Sequence, residues 1–221
     1  MDNWVLNTPL KNWPLYESQK SPIIFRFFES KTRAIVLSSS NKESEELNLE
    51  YCKQTNIPIL RRRGGGGTVV LGPGCLILTF SFYAKDIFSN AKYFHMINDL
   101  WINALSSELP VKLSQNGISD ICYQEKKVAG TSIFRKKNLL VYQGSMLVEP
   151  DLSIIGNYLA HPSKEPEYRK GRPHKDFLTC LKELGCQRST KELALICQKF
   201  FLENAPSFFE NDIKKTEEYN E

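Results

Sequence analysis

Four consecutive glycines, Gly64 to Gly67, constrain this chain more than any other feature. Each glycine loses more backbone freedom on folding than any other residue, so a run of four between two apolar segments serves a purpose. The run follows Arg61-Arg62-Arg63 and leads into Thr68-Val69-Val70-Leu71, a β-branched stretch with strand character. Without Cβ atoms, successive N–H groups turn to one side and form a concavity for an anion. The same bareness lets a flat or elongated ligand lie against the main chain. Three arginines add fixed positive charge in planar forks suited to phosphate and carboxylate. The competing reading is a mobile glycine hinge beside a solvated basic patch. A P-loop is excluded because no Gly-Lys-Ser/Thr follows. A repetitive, disordered RGG-type RNA-binding segment does not fit a run that occurs once and passes directly into a strand.

The chain has 221 residues, 41% hydrophobic and 24% charged, which is the mix of a folded globular protein and excludes a disordered or collagen-like one. No apolar stretch reaches the roughly 18 residues a membrane-spanning helix needs. Met-Asp-Asn-Trp at the start lacks the basic and apolar regions of a secretory signal. A formal charge of +4 is mildly basic and argues against a dedicated nucleic-acid binder. The six cysteines form no C-x-x-C pair and lie mostly in apolar runs, so reduced, buried thiols in a cytoplasmic protein are expected rather than zinc ligands or a disulfide framework.

Strands are expected at Ile23 to Phe28, Ala34 to Leu37, Ile57 to Leu60, Thr68 to Leu71 and Cys75 to Tyr83. Three more are expected at Ile118 to Tyr123, Lys127 to Phe134 and Leu139 to Val148. Ser40-Asn41-Lys42-Glu43 fits a capping box opening a helix that ends near Asn56, before Pro58. Phe88 to Leu109 carries apolar residues at helical spacing. Asp151 to Tyr158 reads as a short helix, Ser163 to Asp176 as a charged loop. A last helix starts at the Ser189-x-x-Glu192 box and stops near Asn204 before Pro206, with a frayed tail after Asn211. Strands and helices mix without βαβ alternation. That predicts an α+β fold with a mixed, mostly antiparallel sheet flanked by helices.

Two further segments carry chemistry. Lys126-Lys127-Val128-Ala129-Gly130-Thr131 places a lysine at the start of a strand, where its ammonium stabilises developing negative charge if the strand borders a cleft. A pair of solvated turn lysines is the plainer reading. The loop Glu167 to Lys175, with Arg172, is built to close over a nucleotide, or is ordinary surface. No histidine has a local triad partner or a metal-ligand spacing.

The ordered set of motifs resembles the catalytic domain superfamily of lipoate–protein ligases, octanoyltransferases and biotin–protein ligases. The resemblance spans roughly Ile23 to Leu181. It rests on Arg62 with Gly64 to Gly67, Ser119-Asp120-Ile121, Lys127-Val128-Ala129-Gly130, Gln143-Gly144-Ser145-Met146-Leu147 and Asp151-Leu152-Ser153. Within the superfamily it is most similar to lipoate–protein ligase A. The resemblance implies one catalytic domain over residues 1–185, with residues 186–221 as a helix and tail packed on it and no separate accessory domain. It implies lipoate and MgATP giving lipoyl-AMP, then transfer to a lysine of a lipoyl carrier domain, of a 2-oxoacid dehydrogenase E2 or the glycine cleavage H protein. Lys127 would be the catalytic residue. Arg62, Gly64, Gly65, Gly66, Gly67, Thr68, Val69, Ala129, Gly130, Gly144, Ser145 and Arg172 would hold the acyl-adenylate. Asp120 would hold Mg2+ through oxygen, as hard cations prefer.

The sequence departs from the ligase pattern at several places. The His-Asp after the glycine loop is replaced by Leu71-Gly72-Pro73-Gly74, which is similar to an octanoyltransferase stretch. Ser119 stands for Asn, and Gln143 for His. The N-terminal helix signature is not evident in Leu6 to Ser18, and the length leaves an accessory function to a separate chain. The octanoyltransferase alternative needs a nucleophilic cysteine. At the two places where such enzymes carry it, this chain has His161-Pro162-Ser163 and Gln115-Asn116. A non-catalytic acyl or nucleic-acid binder is the third reading.

Overall fold

The computed structural model describes residues 23–214; the N-terminal signature region and the end of the expected tail lie outside them. Among these residues, nine strands form two sheets. They are β1 (Ile23–Glu29), β2 (Ala34–Leu37), β3 (Ile59–Arg61), β4 (Val69–Leu71), β5 (Cys75–Tyr83), β6 (Ser114–Asn116), β7 (Asp120–Tyr123), β8 (Lys126–Lys136) and β9 (Leu139–Leu147). The large sheet has the order β1-β5-β9-β8-β7-β6, and all its neighbouring pairs are antiparallel. The small sheet has the order β3-β2-β4, with β2 parallel to β3 and antiparallel to β4. The α+β expectation holds, with the mixed pairing confined to the small sheet.

Alternation of side chains sorts these strands into layers. On β5, Leu76, Leu78, Phe80 and Phe82 point into the main core, while Cys75 and Ile77 join a second cluster on the opposite face. On β2, Val36 joins that second cluster, while Ile35 and Leu37 turn to a third. The main core is closed by helices α3 (Asn90–Leu105) and α6 (Thr190–Phe208), with Trp101, Ile97 and Phe201 buried against the sheet. The third cluster is closed by short helices, including α2 (Leu49–Gln54) and α4 (Ile155–Tyr158), through Cys52, Ile155 and Tyr158. Between the sheets lies a cavity.

Several boundaries differ from expectation. The helix expected from Ser40 breaks into α1 (Glu43–Glu46) and α2. Lys42 is the N-cap of α1 and makes no side-chain cap, while Asn48 restarts the chain by accepting from the Tyr51 N–H at 3.2 Å. The Ser189 box does form: Ser189 Oγ accepts from Glu192 N–H and Glu192 Oε2 accepts from Ser189 N–H. Pro206 does not stop α6 but lies inside its last turn. Phe209, fully buried against Phe80 and Phe82, anchors that turn. The loop of 163–176 contains a turn at Glu167–Arg169 and the start of α5 (His174–Phe177). Strand β6 has no sequence signal; its Ser-Gln-Asn is neither apolar nor alternating.

Candidate active site

The glycine loop is organised by Arg62. This side chain is buried, and its guanidinium donates to Gly65 O at 2.7 Å, Gly67 O at 2.6 Å and Val36 O at 3.2 Å. Burial pulls its pKa down to about 10, which leaves it cationic at neutral pH. Gly66 has φ +90°, a conformation open to glycine at little cost. Arg61 is likewise engaged, donating to Ser38 O at 2.8 Å and Asn41 O at 2.7 Å. Two of the three arginines expected to offer open forks, Arg61 and Arg62, therefore direct donors to backbone carbonyls instead. At the loop's exit, Thr68 Oγ1 donates to Glu46 Oε2 at 2.9 Å, and Ser163 donates to the other Glu46 oxygen at 3.1 Å. One buried carboxylate thus ties the glycine loop to the segment that follows α4.

Lys127 reaches the cavity because β8 is bulged. Pairing with β7 steps from Ile121↔Ala129 to Cys122↔Lys127, leaving Val128 as the extra residue. Val128 and Ala129 then both face the main core, and Lys127 shares the cavity side with Gly130. In a regularly paired strand, Lys127 would share a face with Ala129, two residues on, and point to the core; re-aiming a side chain is a common use of such bulges. Lys127 Nζ donates to Asp120 Oδ1 at 2.7 Å, and Tyr168 OH donates to Asp120 Oδ2 at 2.7 Å. Burial first, then the Asp120 charge, push the Tyr168 phenol well above its ordinary range, so it is a proton donor here. Thr179 N–H donates to Lys127 O at 3.0 Å and fixes the strand from its other side.

The cavity has a volume of about 580 Å³ and brings Lys127, Asp120, Arg62, Gly66, Gly67 and Thr68 to one wall system, together with Val69, Gly130, Gly144 and Ser145. Phe28, Val36, Leu71 and Ile77 supply its apolar part. A charged mouth beside an apolar trough suits an acid with a long carbon tail.

A lipoyl protein ligase A/B catalytic domain sequence model matches residues 4–201. The chain belongs to that family. Among its relatives, lipoate–protein ligase 1 of Staphylococcus aureus is 30% identical over 156 residues, covering 70% of this chain and 45% of that protein. Lipoate–protein ligase 1 of Plasmodium falciparum is 23% identical, covering 97% of this chain and 51% of that protein. In fold, the bipartite lipoate protein ligase of Thermoplasma acidophilum is similar at a TM-score of 0.70 and 22% identity, covering 82% of this chain and 70% of that one. The chain spans about half the length of the curated relatives it matches.

Four of the expected residues do not border the cavity. Gly64 packs on Ser132, with space for a Cβ only 3.1 Å from Ser132 Oγ. Gly65 has its carbonyl held by Arg62. Ala129 faces the main core. Arg172 donates to Glu125 O and Tyr168 O, both at 2.8 Å, and ties the loop of 167–175 to the β7–β8 turn. Gly144 borders the cavity with its backbone, but its missing side chain makes room on the other face for Trp101, whose Cζ3 is 2.6 Å from a built Cβ. Arg26 and Thr79, which no motif marks, line the floor together with Gln143, the residue that stands where the family pattern has His. Strict alternation along β1 and β5, with Phe25, Phe27, Leu78 and Phe80 on the core side, was the signal for the first two.

Each Asp120 oxygen already accepts one donor, Lys127 Nζ on Oδ1 and Tyr168 OH on Oδ2, so a Mg2+ ion there would share them with those groups. Among the described residues no three His, Cys, Asp or Glu side chains converge. All six cysteines are buried, and burial pushes Cys75 and Cys122 up to about 11, far from an activated thiolate.

Proposed function

We propose that this chain is a lipoate–protein ligase that activates lipoate with ATP to lipoyl-AMP and passes the lipoyl group to a lysine of a lipoyl carrier domain. The observation that carries this reading is the meeting of one ammonium, Lys127, with the bare backbone of Gly66 and Gly67 at the mouth of an apolar trough. Attack of a carboxylate on the α-phosphate brings two anions together. Lys127, aimed by Asp120, offsets their repulsion and holds the acyl carboxylate in line. In the transfer step the same ammonium hydrogen-bonds the acyl carbonyl as charge develops on oxygen. The apolar tail lies over Ile77 and Phe28 under Val36, Val69 and Leu71. Magnesium would arrive with the triphosphate.

The family membership supports the chemistry, and the absence of an activated thiol from the cavity's described lining disfavours the acyl-thioester route. Carrier domains of a 2-oxoacid dehydrogenase E2 or the glycine cleavage H protein are the proposed acceptors, in the cytoplasm, where six unpaired thiols stay reduced. A separate accessory chain is proposed to complete the enzyme. The Thermoplasma relative is itself described as bipartite, together with its E2 lipoyl domain.

The test incubates the purified chain with ATP, Mg2+ and lipoate, with and without a lipoyl domain, and follows lipoyl-AMP and the modified domain by mass spectrometry. Lys127→Ala is expected to abolish lipoyl-AMP while its circular dichroism and melting curve stay those of the parent. Tight lipoate binding with no adenylate under any condition would make the chain a carrier rather than a ligase.

A further inference from the structure

The register of the large sheet lays out the cavity floor as two rows running across the strands. One row is Phe28, Ile77, Ser145, Gly130, Asp120, each paired with the next. It grades from apolar at β1 to charged at β7, and spans roughly 14 Å from Phe28 to Gly130 at three strand spacings. The other row, two residues along, is Arg26, Thr79, Gln143, Ser132. This second row is polar throughout. Thr79 is only 2% exposed, yet it borders the cavity. Among the described residues neither its hydroxyl nor the Gln143 side-chain amide has a hydrogen-bond partner. Arg26 continues the row, its guanidinium 5.3 Å above the Phe28 ring.

We infer that Thr79 and Gln143 form a tail-end subsite that selects acyl acids bearing a hydrogen-bonding group near the far end over plain alkyl acids. This rests on the ligase reading, which sets the carboxylate at Lys127 and sends the tail across the sheet. A saturated chain closing over these two groups strips their water and leaves them unpaired. A site with buried polar groups rejects the ligand that cannot satisfy them. Lipoate, with two sulfur atoms as weak acceptors, meets the requirement better than octanoate. An eight-carbon acid with a terminal hydroxyl meets it fully, without the bulk of the ring.

Calorimetric titration of the whole chain with lipoate, octanoate and 8-hydroxyoctanoate, without ATP, separates hydrogen bonding from apolar bulk. The expected result is that 8-hydroxyoctanoate binds about tenfold more tightly than octanoate. In a Thr79→Val, Gln143→Leu double variant with an unchanged melting curve, that order should reverse. Octanoate binding the parent as tightly as the hydroxy acid, or an unchanged order in the variant, would overturn the subsite. The parent's ranking alone decides the matter if the variant does not fold. Failure of lipoyl-AMP formation with the ranking intact would remove the ligase reading and leave the subsite. Absence of binding by all three acids would remove both.

Discussion

Gly130 and Gly144 lie on adjacent strands and both border the cavity, but different neighbours fill the space each leaves. A Cβ at position 130 would lie 2.9 Å from Lys127 Nζ and 3.0 Å from its Cε. Those atoms are the end of a flexible side chain, so the protein accommodates Gly130→Ala by moving the ammonium. The expected outcome is a melting temperature close to the parent's with lipoyl-AMP formation reduced at least tenfold, because a misplaced catalytic group loses its orientation advantage. A Cβ at position 144 would lie 2.6 Å from Trp101 Cζ3, and Trp101 is fully buried and cannot swing away. Gly144→Ala should therefore cost about 1–3 kcal/mol of stability, read as several degrees off the melting temperature. Equal losses of stability in the two variants would contradict the assignment of these glycines.

At the scale of elements, what the sequence could show depended on whether the deciding partner was local. The Ser189-x-x-Glu192 box forms because its bonds lie within one turn. The similar Ser40-x-x-Glu43 fails as a cap because the helix start shifts to Lys42 and a second start at Asn48 takes over. The order of glycine loop, Asp120 and Lys127 was legible as a family pattern. The direction of Lys127 was not, since it depends on the Val128 bulge set by pairing with β7. Arg62 was legible as a charge, but its carbonyl partners come from the loop's own fold and from Val36 on β2. The segment around α5 carries a prediction of its own. Burial, then the nearby Arg169 charge, lower the His174 pKa from 6.5 to about 4. The folded chain therefore refuses a proton that the unfolded chain accepts, so this group's contribution is complete above pH 6.5 and is lost as the pH falls toward 4. Melting temperatures measured from pH 7 to 4.5 should fall more steeply for the parent than for His174→Leu. Parallel curves would show that the surroundings of His174 do not hold it neutral.

Across the whole molecule, two sheets face each other over one cavity, and each has its outer face closed by helices. That arrangement leaves the thiols deep in the layers: Cys197 in the main core, Cys75 in the cluster beside the cavity and Cys52 under the small sheet. Burial raises Cys197 to about 12 and Cys75 and Cys122 to about 11. A thiol reacts as its thiolate, so both access and ionisation protect these groups at neutral pH. A ligase needs none of them, whereas an acyl-thioester transferase needs one that is exposed and ionised. The native chain is therefore expected to show no fast-reacting thiol toward an aromatic disulfide reagent at pH 7.5. All six cysteines should react once guanidinium unfolds it. One native thiol that reacts within seconds and is protected by prior incubation with an octanoyl carrier protein would mean that the layers open at the cavity, and would return the thioester route to first place.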